Sequence, residues 1–238
     1  MRIVIVLTLL VASLPVNAFT TLVNQYDFLN IGSVRVNNNI WNSPSGTQRL
    51  LVNTDASWLV DMTSFNKPTN GAPGSYPNSQ IGCHWGACTA NNPLPRQVSG
   101  LVTASTIWYA SGAMPTGNWN QSLDVWFNTT PTTSVAANAQ ELMIWARKSG
   151  AIQPIGSIVG TITIGKAVYQ IWHGGIVTTY LRTSGVMPAT YNLKLFMNDA
   201  IARGYINPAW YLITIQAGFE IWTGGVGLAT TQFTNTIN

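Results

Sequence analysis

From Val34 to Trp222 the chain is a series of short runs in which apolar and polar residues change places at every second position. Gly, Pro, Asn and Ser separate the runs. A period of two is the spacing of a β-strand, whose successive side chains point to opposite faces. Turn residues at such short intervals leave little room for long helices. The candidate strands are residues 34–41, 58–62, 106–109, 123–128, 141–147, 158–164, 168–172, 178–181 and 211–222. One segment reads differently: Leu193, Phe196, Met197, Ala200 and Ile201 recur at helical spacing, and Gly204 and Pro208 stop the run. Many strands with one short helix predict an all-β fold, a jelly-roll sandwich of two antiparallel sheets.

The N-terminus is set apart. Met1-Arg2 is followed by an apolar run over residues 3–16, broken by Ser13 and Pro15, and then by the small-residue pattern Val16-Asn17-Ala18. This is the order of a secretory signal peptide, residues 1–18, with cleavage expected after Ala18. The run is too short for a membrane anchor. Residues 19–238 then read as one domain of an extracellular protein, with no linker and no repeat.

Only 8% of residues are charged, yet ten are Trp. Such a surface is coated with Asn, Thr, Ser and Gln, as in a secreted β protein. The eleven Lys and Arg residues are dispersed, so no basic stripe exists to track phosphates, and a nucleic-acid partner is not expected. Cys83 and Cys88 lie in Gly-Cys-His-Trp-Gly-Ala-Cys. In an exported chain an even count at short spacing reads as a disulfide. A zinc site would need three or four ligands, and the other histidine, His173, is far off in sequence.

The chemistry is most legible in the acids. The chain has two glutamates, Glu141 and Glu220, both on candidate strands and each followed on its own face by a tryptophan, Trp145 and Trp222. Alternation puts Glu141, Met143 and Trp145 on one face and Leu142 and Ile144 on the other. Along residues 211–222 it predicts a core face of Tyr211, Ile213, Ile215, Ala217, Phe219 and Ile221. The opposite face would hold Leu212, Thr214, Gln216, Gly218, Glu220 and Trp222. Glycoside hydrolysis needs two carboxyl groups flanking one bond, and aromatic planes stack on sugar rings. Asp124 alternates with Leu123, Val125 and Phe127. Beside Glu141 it would share a proton with it and drive the two pKa values apart. Asp27, Asp55, Asp61 and Asp199 read as turn, edge or helix-surface charges. A Gly-x-Ser-x-Gly elbow and a phosphate-binding Gly-Lys-Ser/Thr loop are absent from the sequence.

At these residues the chain resembles glycoside hydrolase family 12, the jelly-roll endoglucanases, and its bacterial branch in particular. The strings that carry the likeness run in family order. They are Asn38-Asn39-Ile40-Trp41-Asn42, Pro68-Thr69-Asn70-Gly71-Ala72-Pro73 with Gly82-Cys83-His84, and Leu123-Asp124-Val125-Trp126. Then come Glu141-Leu142-Met143-Ile144-Trp145, Gln153-Pro154-Ile155-Gly156-Ser157 and Gln216-Ala217-Gly218-Phe219-Glu220. The resemblance implies a concave cleft crossed by a cord at residues 153–157. It implies a retaining endo-β-1,4-glucanase with Glu141 as nucleophile, Glu220 as general acid/base and Asp124 supporting Glu141. The carboxyls would then stand about 5–5.5 Å apart. It places Asn39 and Trp41 on a non-reducing-side sugar, and Met143, Trp145 and His84 near the scissile bond. Pro154 falls on the leaving-group side. No role is drawn for Trp58, Trp85, Trp126, Trp172 or Trp222. No metal or organic cofactor is implied. The partner is a β-1,4-glucan chain, and the protein is expected to be a monomer. The sequence departs from the family at Ile221, where Pro is usual. Two other readings fit the same sandwich: a non-catalytic carbohydrate-binding protein, and a xylanase of the related clan. Asn120 and Asn128 open glycan-acceptor triplets.

Overall fold

The computed structural model describes residues 19–134 and 138–238; the expected signal peptide lies outside the described residues. In chain order the first strands are β1 (Thr20–Leu22), β2 (Phe28–Ile31), β3 (Val34–Asn37), β4 (Gln48–Val52), β5 (Trp58–Thr63), β6 (Asn78–His84), β7 (Ala87–Cys88), β8 (Arg96–Gln97) and β9 (Ala104–Ala110). There follow β10 (Gly117–Asn128), β11 (Gln140–Ser149), β12 (Ser157–Ile164), β13 (Ala167–Gly174), β14 (Val177–Gly185) and β15 (Thr190–Asn192). The helix α1 (Leu193–Ala202) precedes β16 (Tyr211–Gly218), β17 (Ile221–Gly224) and β18 (Ala229–Ile237). The smaller sheet has the order β1-β4-β5-β18-β9-β15. The larger runs β12-β13-β14-β11-β10-β16-β6-β3-β2, with β17 beside β10 and β8 beside β16. This is the jelly-roll sandwich the alternation predicts.

The core lies between the sheets. Leu123, Val125 and Phe127 of β10 and Leu142 and Ile144 of β11 enter it, and the intervening residues face the other way. Phe219 is the main wedge: its ring meets Trp58 of β5 at 5.7 Å and Trp108 of β9 at 5.9 Å. Burying such aromatics contributes about 2–3 kcal/mol each from apolar area. Helix α1 closes one flank, with Phe196 set edge-on to Tyr169 and Tyr180, at 5.2 Å from each.

Three differences from the expected strands have physical causes. Strand β3 stops at Asn37, because Asn39 takes a positive φ of 45° that a strand cannot hold. The predicted strand 211–222 is two strands with Phe219 and Glu220 between them. Its pairing with β10 also slips at Trp126/Phe127, so that Ile213 is skipped and Leu212, not Ile213, enters the main core. Gly82 of β6 passes close to that bulge: a Cβ there would fall 2.3 Å from the Ile213 carbonyl oxygen, at φ +89°.

The larger sheet is also not wholly antiparallel. Strand β11 pairs with β14 in parallel, Glu141 opposite Val177 through Trp145 opposite Leu181. The hairpin β12–β13 docks outside β14, so the chain leaving β11 must return along the strand before β12 begins. Residues 150–156 make that return across the face of the sheet. Gly156 ends it by meeting the backbone of His173, where a Cβ would lie 2.0 Å from the carbonyl oxygen.

Candidate active site

The face of the larger sheet turned away from the core forms a cleft of about 1350 Å³. All nine sequence-predicted cleft residues line it: Asn39, Trp41, His84, Asp124, Glu141, Met143, Trp145, Pro154 and Glu220. The period-two reading of β10 and β11 explains why. Asp124 and Trp126 project from β10 beside Glu141, Met143 and Trp145 from β11, with Trp126 level with Glu141 and Asp124 with Met143. The returning segment contributes Gln153 and Pro154 above them. Asp27, Asp55, Asp61 and Asp199 stay outside the cleft, in turns or in ion pairs with arginine.

Asp124 is buried, and Glu141 comes within side-chain hydrogen-bonding reach of it. Ser122 Oγ donates to Asp124 Oδ1 at 3.1 Å, and the buried Tyr76 hydroxyl also lies against Asp124. Burial pushes both carboxyls well above the usual range. The negative charge of Asp124 raises Glu141 further, and that of Glu220 raises both. The two carboxyls therefore titrate as a coupled pair, each biased toward its protonated form.

Glu220 enters from the break between β16 and β17. The same peptide chain seats Phe219 in the core and Glu220 in the cleft. Asn120 grips it twice. Its amide nitrogen donates to Glu220 Oε2, and its oxygen accepts from the Glu220 N–H at 3.1 Å. Burial raises the Glu220 carboxyl to about 7 against the opposing pull of the Asn120 bond. Asn120 and Asn128 are both fully buried, so neither offers a glycan-accepting amide in the folded chain.

The walls rise at the two ends of β10. At its Gly117 end, residues 69–73 form one wall. Trp222 Nε1 donates to the Gly71 carbonyl at 2.7 Å, and Asn42 Nδ2 donates to the Pro73 carbonyl at 3.0 Å. The Ile221 N–H donates to the Ser75 carbonyl, a bond that a proline there would lack. Trp41 stands 44% exposed on this cleft. It is carried by a buried polar knot in which Gln48 Nε2 donates to Asn38 and Ser75 Oγ donates to Gln48. At the Asn128 end, His84 packs on Trp126 at 4.7 Å. Burial lowers its pKa to about 4, so its ring is neutral. Cys83 and Cys88 are joined and close the hairpin that bears His84.

Several cleft residues escape the sequence reading. Strand β6 is the largest omission: Asn78 and Gln80 face the cleft beside the expected His84, while Ser79 and Ile81 face inward. Its alternation is of hydrogen-bonding partners rather than of hydropathy. Asn37 Nδ2 donates to both Asn78 and Gln80. Tyr76 of the cleft, and Asn120 and Ser122 that bond its acids, gave no sequence signal of that role. No group of three or more metal-ligating side chains occurs among the described residues.

Comparison with known proteins follows the same lines. Residues 32–238 match the profile described as Glycosyl hydrolase family 12. The chain is 34% identical over 150 residues to a probable cellulase, Cel12b, of Mycobacterium tuberculosis, covering 61% of this chain and 97% of that protein. It is 27% identical to endoglucanase S of Pectobacterium parmentieri, covering 91% and 87% of the two chains. Among solved structures, endoglucanase Cel12A from Rhodothermus marinus superposes with a TM-score of 0.85 at 33% identity, over 92% of this chain and 99% of that one.

Proposed function

The chain belongs to glycosyl hydrolase family 12, and on that footing we propose that it is a secreted, retaining endoglucanase that cuts internal β-1,4-glucosidic bonds. The endo-glucanase activity is the activity of its relatives. The observation that carries the residue roles is the convergence of Glu141, Asp124 and Glu220 on one cleft, close enough for the Glu220 charge to raise both of the others and for that of Asp124 to raise Glu141. In this reading the proton raised onto Glu141 in the free site passes to Asp124, the less exposed of the pair, as the substrate settles, and Asp124 donates it back toward Glu141. Glu141 is thereby ionised and attacks the anomeric carbon. Glu220, still protonated near neutral pH, donates to the departing glycosidic oxygen. Once Glu141 is esterified, Glu220 loses a negative neighbour, its pKa falls, and it takes a proton from the incoming water.

The substrate enters across the strands. Trp41 and Asn39 hold a sugar on the non-reducing side, and Pro154 borders the leaving-group side. Met143, Trp145 and His84 line the walls near the scissile bond. The uncharged amides of Asn37, Asn78, Gln80 and Gln216 suit sugar hydroxyls, and their neutrality suits a neutral polysaccharide. An export signal at residues 1–18 places the enzyme outside the cell, where its polymer is. No described helix is long and apolar enough to cross a membrane.

The test is release of reducing ends by the purified mature protein from carboxymethyl cellulose, mixed-linkage glucan, xyloglucan and xylan. Glu141→Gln and Glu220→Gln are expected to lose at least about a thousandfold in kcat while keeping the circular dichroism spectrum of the parent. Normal turnover by either variant refutes the assignment. Activity confined to xylan would reassign the substrate.

A further inference from the structure

Trp85 is the most exposed of the large aromatics that line the cleft, with 70% of its surface open. It occupies the turn of the hairpin in which His84 faces Ala87 and Cys83 faces Cys88. Both central residues of that turn sit at positive φ, 53° for Trp85 and 74° for Gly86. Two positive φ values are the pattern of a type I′ turn, whose first central position suits Asn, Asp or Gly. A bulky aromatic there is strained. It is also unburied, so its side chain returns little to the fold. Two features that work against stability at one residue call for a functional explanation.

The hairpin is held on every side. Gly86 N–H donates to the Thr133 carbonyl at 2.8 Å, and Gln80 Nε2, rising from the cleft floor, donates to the Ala87 carbonyl at 2.8 Å. Thr89 bonds back to Gly82, and the disulfide closes the loop. Behind Trp85, the neutral His84 rests on Trp126. An indole carried on a hairpin held this firmly, flat-faced and wet, is offered to a ligand with an apolar face and a polar rim.

We propose that Trp85 is a further substrate-binding residue, a stacking platform for one glucosyl ring of the bound chain, and that the Cys83–Cys88 bond is a positioning element that keeps it over the cleft. The inference rests on the reading of the cleft as a glucan site. It concerns the wall at the Asn128 end of β10, across from the loop that Trp222 fastens.

The experiment compares Trp85→Asn with the parent on cellotetraose and cellohexaose. Asparagine tolerates the left-handed backbone, so the variant's Tm is expected to equal or exceed that of the parent. Its KM for cellohexaose should rise roughly fivefold to tenfold, a loss the size of one aromatic contact, with the fall in kcat/KM carried by KM. A residue with a merely structural role would lower Tm and leave KM in place. Cys88→Ser, or dithiothreitol on the folded parent, should raise KM in the Trp85 background and add nothing to Trp85→Asn. A Trp85→Asn variant with the parent's KM for cellohexaose overturns the platform, and additive effects of the two changes overturn the role of the disulfide. If the parent cuts no glucan at all, the hydrolase reading has failed on its own. The Trp85 claim is then decided by calorimetric titration with cellohexaose, where equal Kd for parent and variant refutes it.

Discussion

Asn120 shows how much one side chain can decide. It lowers the Glu220 pKa by bonding to the charged form, in opposition to burial, which raises it. Removing it should therefore move Glu220 above its value of about 7. The alkaline limb of kcat/KM reports the acid in the free enzyme. In Asn120→Ala that limb should shift to higher pH, at a stability cost of about 1–3 kcal/mol for the lost buried partner. A pH–rate profile beside a denaturation curve separates the two effects. Glu141 supplies the complementary case. Its folded pKa is raised, so the folded state binds more protons than the unfolded chain, and stability declines as pH climbs above the ordinary 4.5. Glu141→Gln removes the Glu141 share of that decline, leaving the shares of Asp124 and Glu220. It should be more stable than the parent at pH 7 by on the order of 1–2 kcal/mol, and no more stable at pH 3. Equal gains at both pH values would contradict a buried, proton-sharing carboxyl.

Among the elements, what the sequence disclosed depends on where each strand's contrast lies. Strands β10 and β11 separate an oily face from a mixed one, so alternation assigned Asp124, Glu141, Met143 and Trp145 to the cleft and Leu123, Val125, Leu142 and Ile144 to the core. Helix α1 was legible for the same reason, at a different period. Strand β6 was not. Asn78, Ser79, Gln80 and Gly82 gave no strand signal, because polar residues fall on both faces and are met by partners from distant strands. The slip at Ile213 was equally hidden, since a bulge alters which residue faces inward without altering composition. Gly82 is tied to that slip. Gly82→Ala would press a methyl group into the backbone of β16, where nothing flexible can yield. We expect a loss of about 2 kcal/mol or more in urea denaturation, whereas an alanine at the open Gly100 should have a small effect.

For the molecule as a whole, the two sheets meet at Phe219. Phe219→Leu keeps an apolar residue but withdraws ring contacts with Trp58 and Trp108, and should cost about 1–3 kcal/mol. Because Glu220 is the next residue, the same change should also shift the alkaline limb of the pH profile. A core substitution remote from the acids, such as Val60→Ala on the smaller sheet, should reduce Tm and leave that limb in place. Measuring both variants distinguishes a general loosening from a local one.

The return of residues 150–156 has a bearing on synthesis as well. In sequence that segment precedes β12, β13 and β14, yet it must lie over a floor that includes β16, the last long strand but one. While a nascent chain emerges, the span has only part of its floor, and β11 has an open side until β14 arrives. The binding groove is consequently a late product of assembly. A chain truncated before Tyr211 would carry Glu141 and every residue of the span but lack β16, which joins β10 to β6, and with it Gln216 and Glu220.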